Sequence, residues 1–333
     1  MNIAHVIPHA VTFPLKGHNG RYEWVRQLAL LQAQQGHTVT IYGSPESKIA
    51  GLDFAGITEV TGSKRNNNIE TFRLAFSKNH DVYHSHFDNL HYEIASETLK
   101  PVVYTQHWWP NEQTVKLART LNQGTVWAVP PTHHMFTFDI ENGIQTKGSI
   151  HHGIDLNIFH NSGAPKTDRF LFVGRISPEK NLEVAISAVK KAGAKLDIVG
   201  KIAAKNQQYW DSLQHFIDGD KIRYLGQKSQ AELVDMYSQA LGVLCPFEPT
   251  EAFGLVVIES QACGTPVIMK NGGSRKELIW EDTTGFLYET EDEFIAAISK
   301  IKTLQAEDCI SFAQNFDIVS MAEAYEQLYE KII

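Results

Sequence analysis

The fold is decided by a short stretch, Gly36-His37-Thr38-Val39-Thr40-Ile41-Tyr42, that leads from a helix into a strand. Before it, from about Arg21 to Gln35, apolar residues recur at helical spacing, and Gly36 suits the left-handed conformation that ends a helix. The apolar run Ile3–Ile7 stands in front of this helix and is typical of a buried strand. Strand, helix and strand in this order predict a βαβ unit on a parallel sheet.

The same alternation of short apolar runs and amphipathic stretches of helical length continues through both halves of the chain. In the first half, the predicted strands are Ile3–Ile7, Thr38–Tyr42, Val82–Ser85, Pro101–Thr105 and Val126–Val129. In the second half, they are Phe170–Val173, Lys195–Val199, Ile222–Leu225, Gly242–Cys245 and Pro266–Met269. The predicted fold class is therefore α/β, with two doubly wound parallel sheets.

The chain length also favours two domains, because 333 residues correspond to two domains of roughly 150 residues each. The polar stretch 160–168 is the best candidate for a linker. We therefore expect a first domain over residues 1–160 and a second over residues 161–317. A last helix, about residues 318–333, has no strand after it and can pack back on either domain, of which we expect the first.

Composition and charge exclude several classes of protein. The sequence is 43% hydrophobic and 20% charged, which is typical of a globular protein with a large core. Lys and Arg number 30 and Asp and Glu 38, giving a net charge of −8, so we expect no nucleic-acid partner. The 3 cysteines have no C-x-x-C spacing, and no run is long enough to cross a bilayer. These features predict a cytoplasmic protein without a transmembrane segment.

Sequence motifs for common cofactors are missing. No G-x-G-x-x-G follows the first predicted strand, and no G-x-x-x-x-G-K-[ST] occurs, so nicotinamide binding and P-loop hydrolysis lose their main support. Four histidines, His133, His134, His151 and His160, have spacings that suggest a metal, but no carboxylates converge with them in sequence. We expect neither a cofactor nor a metal site.

The segment from Glu251 to Pro266 carries the most chemical information. It is predicted to form a helix that stops at Gly264, with Glu251 at its start among free N–H groups, which favour anions and hydroxyls. Glu259 falls on the apolar stripe of this helix and therefore needs hydrogen-bond donors from the protein or from a ligand. Besides ligand binding, a purely structural interpretation stays open, in which Glu251 only caps the helix and Glu259 only pairs with a buried arginine.

The spacing Glu251-x7-Glu259, followed by Ala262-Cys263-Gly264-Thr265-Pro266-Val267, resembles the E-x7-E signature of retaining glycosyltransferases of the GT-B fold, family 4. The segment Phe172–Asn181 is similar to the element that opens the donor domain of that family. Further matches follow the family's order along nearly the whole chain, at residues 17–20, 36–39, 81–86, 152–155, 224–226, 272–277 and 284–287. The resemblance implies two Rossmann-like domains facing across a cleft, with the acceptor side on the first and the donor on the second.

The same resemblance implies a function. The protein would be a retaining, metal-independent hexosyltransferase that moves a sugar from a nucleotide diphosphate sugar to an acceptor hydroxyl. The acceptor is unknown and would be a glycan, a lipid or a small molecule, and a lipid acceptor would bring the protein to the membrane surface. Two alternatives stay open, namely a GT-B sugar-nucleotide epimerase and a noncatalytic module that binds nucleotide sugars.

The resemblance also assigns roles to individual residues. Arg175 and Lys180 follow a predicted strand and would hold the donor diphosphate, whose charge grows in the transition state. Glu259 would bind the ribose, Glu251 the transferred sugar, and His107 would help to place that sugar. The expected catalytic residues are His107, Arg175, Lys180 and Glu251. The expected donor-binding residues are Gly20, Gly174, Arg175, Lys180, Gly200, Leu225, Glu251, Phe253, Gly254, Leu255 and Glu259.

Some positions depart from the family pattern or carry weaker assignments. Ala252 stands where the family commonly has glycine, and Asn19 replaces the first residue of a glycine pair, so only Gly20 is carried over. Trp108 and Trp109 offer flat faces to an acceptor, although ordinary packing is equally compatible with them. His84 and His86 match the family's D-x-x-H-x-H strand end and carry a weaker functional assignment.

Overall fold

The computed structural model describes residues 1–15, 19–248 and 251–333. Contacts between Cα atoms divide these residues into two compact units. The first unit comprises Met1–Gly153 together with Ile318–Ile333, and the second comprises Ile154–Asp317. None of the helices in the described ranges combines the length and the apolar composition that crossing a membrane requires.

The first unit is a parallel sheet with helices. Its strands are β1 (Asn2–Val6), β2 (Thr38–Tyr42), β3 (Asp53–Ala55), β4 (Val82–Ser85), β5 (Val102–Thr105) and β6 (Val126–Val129). The helices between them are α1 (Gly20–Gln34), α2 (Lys64–Phe76), α3 (Leu90–Ile94), α4 (Glu112–Leu121) and α5 (His133–Glu141). The strands pair in the order β3-β2-β1-β4-β5-β6, and all of these pairs are parallel. This is the doubly wound strand order, with its topological switch point between β1 and β4.

The second unit repeats the same architecture. Its strands are β7 (Arg169–Val173), β8 (Lys195–Val199), β9 (Ile222–Tyr224), β10 (Val243–Cys245), β11 (Val267–Lys270) and β12 (Gly285–Tyr288). Its helices are α6 (Leu182–Lys191), α7 (Gln207–Leu213), α8 (Gln230–Gln239), α9 (Leu255–Ala262), α10 (Glu291–Lys300) and α11 (Ala306–Ala313). The order β12-β11-β10-β7-β8-β9 places the switch point between β7 and β10. The predicted α/β class with two parallel sheets is confirmed.

A last helix, α12 (Ile318–Ile332), belongs to the first unit. Its apolar side contributes Met321 and Tyr325 to a core cluster that also contains Trp24 and Leu28 of α1. The hydroxyl of Tyr329 lies 2.6 Å from Nδ1 of His84, so the helix also reaches the carboxyl end of β4. Residues 318–333 therefore pack on the first unit.

The boundary between the units differs from the predicted one at residues 160 and 161. It falls after Gly153, because Ile154 and Phe159 are buried in the core of the second unit. The polar stretch that suggested a linker is also tied to this unit. Within that stretch, Nζ of Lys166 donates to the backbone oxygens of Ala240 at 3.0 Å and Gly264 at 3.2 Å. Polar composition alone predicted a linker where the structure has a docked segment.

Two strands were missing from the sequence prediction, and each lies at one edge of a sheet. Strand β3 has three residues and none of them is buried, so it lacks the apolar run that marks an inner strand. Strand β12 begins at Gly285, where a Cβ atom would lie 2.1 Å from the backbone oxygen of Val267. The glycine that the close approach requires also breaks the sequence signal of the strand. The predicted helix end at Gly36 is confirmed, with φ of +90°.

Candidate active site

The switch point of the second unit gathers the charged residues that the sequence singled out. In an open parallel sheet, ligands bind beyond the carboxyl ends of the two strands that flank this point. Gly174 and Arg175 directly follow β7, and Lys180 lies in the short turn before α6. Glu251 lies in the connection between β10 and α9. The carboxyl ends of β7 and β10 therefore carry three of the four expected catalytic residues.

Lys180 is held in a buried and well-defined environment. Its side chain is almost fully buried, and Nζ lies 2.5 Å from Oε2 of Glu251. The same ammonium group stands 4.1 Å from the centroid of the Phe247 ring, within cation–π range. A cation fixed in this way needs little reorganisation to meet a negative charge that develops beside it.

The position of Glu251 corrects the sequence prediction. Helix α9 begins at Leu255, because Gly254 adopts φ of +108° and interrupts any helix that would start earlier. Glu251 precedes this helix by four residues, and its backbone N–H donates to the oxygen of Glu248 at 3.1 Å. The carboxylate therefore does not cap α9, and it is paired with Lys180 instead. The neighbouring Ala252 is buried without a left-handed φ, so its methyl group is accommodated without backbone strain.

Two residues that sequence reasoning missed shape the loop after β10. Arg275 is fully buried, and Nη1 donates to the backbone oxygens of Phe247 at 3.0 Å and Lys270 at 2.7 Å, while Nη2 donates to that of Glu248. Asn181 donates from Nδ2 to the backbone oxygen of Pro246 at 3.0 Å. Arg275 lies within residues 272–277, which carried part of the family resemblance. The available signal was a charged side chain in that motif, but its partners are carbonyl groups that no sequence pattern shows.

Arg175 lies at the same strand end as Lys180 but in a different environment. Its side chain is 46% exposed, and Nη2 stands 3.3 Å from Oε1 of Glu179. An ion pair this exposed contributes little to stability, since water and salt screen it. Arg175 therefore contributes a half-exposed cation near the switch point.

Glu259 occupies the buried stripe of α9, as the sequence predicted, and it has a neutral partner. The hydroxyl of Tyr237 donates to Oε2 at 2.9 Å, and no Arg or Lys of the described ranges forms an ion pair with this carboxylate. Burial raises the pKa of Glu259 to about 7, while the Tyr237 hydrogen bond acts in the opposite direction. The open alternative of a buried arginine pair is not what these residues show.

The expected donor-binding glycines have different structural reasons. A Cβ atom on Gly200 would lie 1.7 Å from the backbone oxygen of Gly174, so close packing of the two strand ends already requires glycine there. On Gly174 a Cβ atom would meet only ordinary contacts, the nearest at 3.7 Å from the ring of Phe172. Leu225 follows β9, and its N–H donates to the oxygen of Ile198 at 2.9 Å. Packing thus explains Gly200 without a ligand, whereas no steric requirement explains Gly174.

The switch point of the first unit is lined by histidines instead of charged pairs. His5 lies within a chain of hydrogen-bonded side chains. Its Nε2 lies 2.7 Å from Oε1 of Gln32, and its Nδ1 lies 2.9 Å from Nε2 of His86. Nδ1 of His86 then lies 3.2 Å from Nε2 of His107. The ring of Trp24 packs edge-on against His86 and His107. We name Gln32, His5, His86 and His107 the histidine chain.

Burial keeps these rings neutral. It lowers the pKa of His5 to about 4 and the pKa values of His86 and His107 well below 6.5. The charge of Arg21 lowers the pKa of His107 further. Arg21 was not among the expected residues, although it follows Gly20 at the start of α1, and its guanidinium donates to the backbone oxygen of His86. Gly17, in the same predicted loop, lies outside the described residues.

A neighbouring histidine completes the cluster. Nδ1 of His84 lies 2.6 Å from the hydroxyl of Tyr329, and its Nε2 lies 2.6 Å from Oγ1 of Thr105. Among the described residues, His5, His84 and His86 form the one group whose ligand atoms lie close enough to hold a metal, all within 4.8 Å of one another. However, hydrogen bonds already occupy both nitrogens of His5 and of His84. The four histidines whose spacing suggested a metal in the sequence are not in this group.

The tryptophans after β5 differ in exposure. Trp108 is 43% exposed, whereas Trp109 packs against the rings of His134 at 5.3 Å and Phe138 at 5.2 Å. Trp109 and Phe138 line a groove of about 710 Å³ between α4 and α5, which also contains Lys116 and Arg119. The groove offers aromatic surface and positive charge within the first unit.

Residues 155–316 match the family model of the glycosyl transferases group 1, which covers nearly all of the second unit. The second unit is therefore similar to the domain that this family model describes. The charged switch point described above therefore lies in the segment that matches this model, and the histidine chain lies in the first unit.

Curated relatives match this chain over part of their length. A D-inositol 3-phosphate glycosyltransferase of Mycolicibacterium smegmatis is 30% identical over 158 residues, which are 43% of this chain and 36% of that protein. A probable sucrose-phosphate synthase of Thermosipho melanesiensis is 30% identical over 195 residues, which are 54% of this chain and 42% of that protein. The matched segments thus cover about two fifths of these relatives or less.

Solved structures match the whole chain. A sucrose-phosphate synthase from Thermosynechococcus elongatus superposes with a TM-score of 0.83 at 20% identity, over 99% of this chain and 98% of that one. HepE of Anabaena, in complex with UDP, gives a TM-score of 0.81 at 17% identity, over 99% of this chain and 100% of that one. These matches confirm the GT-B fold that the resemblance implied.

Proposed function

We propose that the protein is a retaining, metal-independent glycosyltransferase that moves a hexosyl group from a nucleotide diphosphate sugar to an acceptor hydroxyl. The observation that carries this proposal is the buried Lys180–Glu251 pair at the switch point of the unit that matches the group 1 glycosyltransferase model. The pair places a fixed cation and a hydrogen-bond acceptor side by side, as a sugar diphosphate requires. The three free cysteines favour a reducing compartment, and we propose the cytoplasm.

In this proposal the ammonium group of Lys180 faces the diphosphate. Negative charge on the leaving phosphate grows as the glycosidic bond breaks, so the attraction to Lys180 is strongest in the transition state. Arg175 supplies a second cation at the same strand end. The carboxylate of Glu251 accepts a hydrogen bond from a hydroxyl of the transferred sugar while it keeps Lys180 in place. These protein cations would take the role that a divalent metal plays in other transferases.

Glu259 and His107 complete the assignment. Glu259 would accept hydrogen bonds from the ribose hydroxyls, and Tyr237 keeps one of its carboxyl oxygens oriented. His107 would accept a hydrogen bond from the transferred sugar or donate one to it. The acceptor would bind to the first unit, where Trp108 and the groove beside Trp109 offer flat apolar surface. For retention we propose attack on the face that the phosphate leaves, with the phosphate receiving the proton of the acceptor.

The first experiment is a thermal-shift screen with UDP, GDP, ADP and their hexose conjugates. UDP and UDP-glucose come first, because solved structures of HepE are described as complexes with them. A ligand at 100 times its dissociation constant adds about 2.7 kcal/mol of stability, which a melting curve resolves easily. Stabilisation by one nucleoside diphosphate and its sugar conjugate is expected. If none of the compounds raised the melting temperature, the donor assignment would be wrong.

The second experiment follows the reaction of the donor so identified. Slow hydrolysis without an acceptor and transfer with one are expected, with the anomeric configuration kept, and EDTA should leave both rates unchanged. Loss of activity in EDTA with recovery in magnesium or manganese would contradict metal independence. Conversion of the donor to an epimer without any acceptor would replace the transferase by an epimerase.

A further inference from the structure

The histidine chain has a direction, and Gln32 sets it. The amide nitrogen of Gln32 stands 3.3 Å from the hydroxyl oxygen of Tyr329, to which it donates. The carbonyl oxygen of the same amide therefore faces His5, 2.7 Å from Nε2. A carbonyl oxygen can only accept a hydrogen bond, so the proton of the His5 ring must be on Nε2.

A neutral imidazole carries one proton, and this passes the direction from ring to ring. With its proton on Nε2, His5 has only a lone pair at Nδ1, and it must accept from Nε2–H of His86 at 2.9 Å. His86 in turn has its lone pair at Nδ1 and accepts from Nε2–H of His107 at 3.2 Å. The proton of His107 is then on Nε2, and its Nδ1 carries a lone pair.

The surroundings support single protonation along the whole chain. Burial lowers the pKa of each of the three rings, so no ring holds the second proton that would reverse the direction at neutral pH. No carboxylate forms an ion pair with these rings among the described residues. The guanidinium of Arg21, which donates to the backbone oxygen of His86, adds positive charge and further opposes a second proton.

The geometry points to Gln32, His5 and His86 as positioning residues that fix the tautomer of His107, so that its Nδ1 accepts a hydrogen bond from a hydroxyl of the transferred sugar. The tautomer follows from the chain itself, whereas the sugar hydroxyl as its partner rests on the proposed function. In the opposite tautomer, Nδ1 would carry the proton, and it would donate to the oxygen of the hydroxyl instead of accepting the hydroxyl's proton. A sugar whose hydroxyl is already hydrogen-bonded as an acceptor elsewhere would then bind less well.

The same rings are the candidate metal ligands His5, His84 and His86, and protons explain their geometry better. A metal would need one lone pair from each ring directed at a common point. Both nitrogens of His84 are engaged by hydroxyl groups at 2.6 Å, and both nitrogens of His5 are engaged within the histidine chain. Metal binding would therefore break at least one hydrogen bond of His5 and at least one of His84.

The test is nitrogen-15 NMR of the full chain labelled at histidine, at neutral pH. Each neutral ring shows one protonated and one unprotonated nitrogen, and a scalar coupling across an N–H···N bond identifies its donor. We expect the proton on Nε2 in His5, His86 and His107, with one coupling between His5 and His86 and another between His86 and His107. This readout needs no substrate, so it stands whether or not the proposed function is correct.

Gln32→Met removes the amide that sets the direction while nearly keeping the side-chain volume. We expect His107 to become a mixture of both tautomers, and kcat/KM to fall in proportion to the fraction of rings that keep Nε2–H. Tyr329→Phe is the milder second variant, since it leaves the amide of Gln32 without the partner that orients it. Tyr325→Phe is the matched control, because it removes a buried hydroxyl from the same helix that bonds to Thr105, outside the histidine chain.

Three results would overturn the inference. One is a wild-type His107 with its proton on Nδ1. Another is a tautomer of His107 that changes as much in the control Tyr325→Phe as it does in Gln32→Met and Tyr329→Phe. The third is stoichiometric binding of added zinc that disappears in His84→Gln, which would make the cluster a metal site.

Discussion

The two units share one strand order but place opposite chemistry at the same point of the sheet. At the switch point of the first unit, neutral histidines form hydrogen bonds to one another and to Gln32. At the switch point of the second unit, Lys180 forms an ion pair with Glu251, and a buried arginine holds the adjoining loop. The topology therefore decides where a crevice forms, and the side chains decide what it can bind.

Burial shifts pKa values in opposite directions in the two units. It lowers the pKa of the buried histidines in the first unit and raises the pKa of Glu259 in the second. Both shifts have one cause, since the charged form of a buried group loses its hydration. The comparison thus predicts a first unit that is sensitive to acid and a second unit in which Glu259 is least favourable at alkaline pH.

The largest expected effect is destabilisation of the first unit by acid. Burial lowers the pKa most strongly in six of its histidines, namely His5, His84, His86, His91, His107 and His152. Each stays neutral in the folded state while the unfolded chain binds a proton below pH 6.5, so the stability is present above 6.5 and is lost as the pH falls. At pH 5, each isolated site costs up to about 2 kcal/mol.

Hydrogen exchange measured by mass spectrometry between pH 7.5 and 5, corrected for the intrinsic rate, resolves the two units in one sample. Protection should fall in residues 1–153 before it falls in residues 154–317. Equal loss in both units would break the comparison, because it would mean that the histidines do not control the acid response.

Next in size is the effect of Lys180→Ala on turnover. The variant removes the buried cation from the switch point, and loss of one such electrostatic contact lowers kcat by about 100- to 1000-fold. Substrate affinity should change less than turnover. Lys191→Ala is the matched control, since Lys191 pairs with Glu291 on the exposed surface of the same unit. Near wild-type turnover in a folded Lys180→Ala variant would remove Lys180 from the reaction.

A third prediction concerns the pH dependence of Glu259. Its folded pKa of about 7 lies above the usual 4.5, so its contribution to stability is complete below pH 4.5 and is lost as the pH rises through 7. Glu259→Gln keeps an acceptor for Tyr237 and cannot ionise. Relative to the wild type, this variant should gain about 3 kcal/mol between pH 4.5 and pH 8.

Urea unfolding of both proteins at the two pH values measures this difference. Glu291→Gln serves as the control at an exposed carboxylate. A difference that does not change with pH would mean that Glu259 is ionised in the folded state throughout this range, supported by a donor in addition to Tyr237.

The smallest expected effect concerns two equivalent glycines. Gly200 follows β8 and Gly43 follows β2, and each of these is the second strand of its unit along the chain. A Cβ atom on Gly200 would lie 1.7 Å from a backbone oxygen, whereas on Gly43 it would meet the flexible side chain of Ile7 at 2.7 Å. Gly200→Ala should therefore cost about 1–3 kcal/mol and Gly43→Ala less, as measured by thermal unfolding. The reverse ranking would show that side-chain packing, not the strand backbone, limits these positions.

The sequence by itself determined the class of fold and part of the candidate site. Periodicity predicted the inner strands of both sheets, and the glycine at residue 36 predicted the end of α1. The position of Glu259 on an apolar stripe predicted a buried carboxyl that needs a donor. These inferences depend on residues that are close in sequence, where spacing alone fixes which face a side chain shares.

Only the tertiary structure decided the partners. Lys180 and Glu251 are 71 positions apart, His5 and His86 are 81 apart, and Gln32 and Tyr329 are 297 apart. The order of strands in each sheet brings these residues together, and no local pattern specifies that order. The sequence placed Glu251 at a helix start, and this prediction was wrong because Gly254 adopts a left-handed φ and α9 begins only at Leu255. Spacing along the chain thus fixes which face a residue shares, but a hydrogen bond depends on distance in space, and the fold sets that distance.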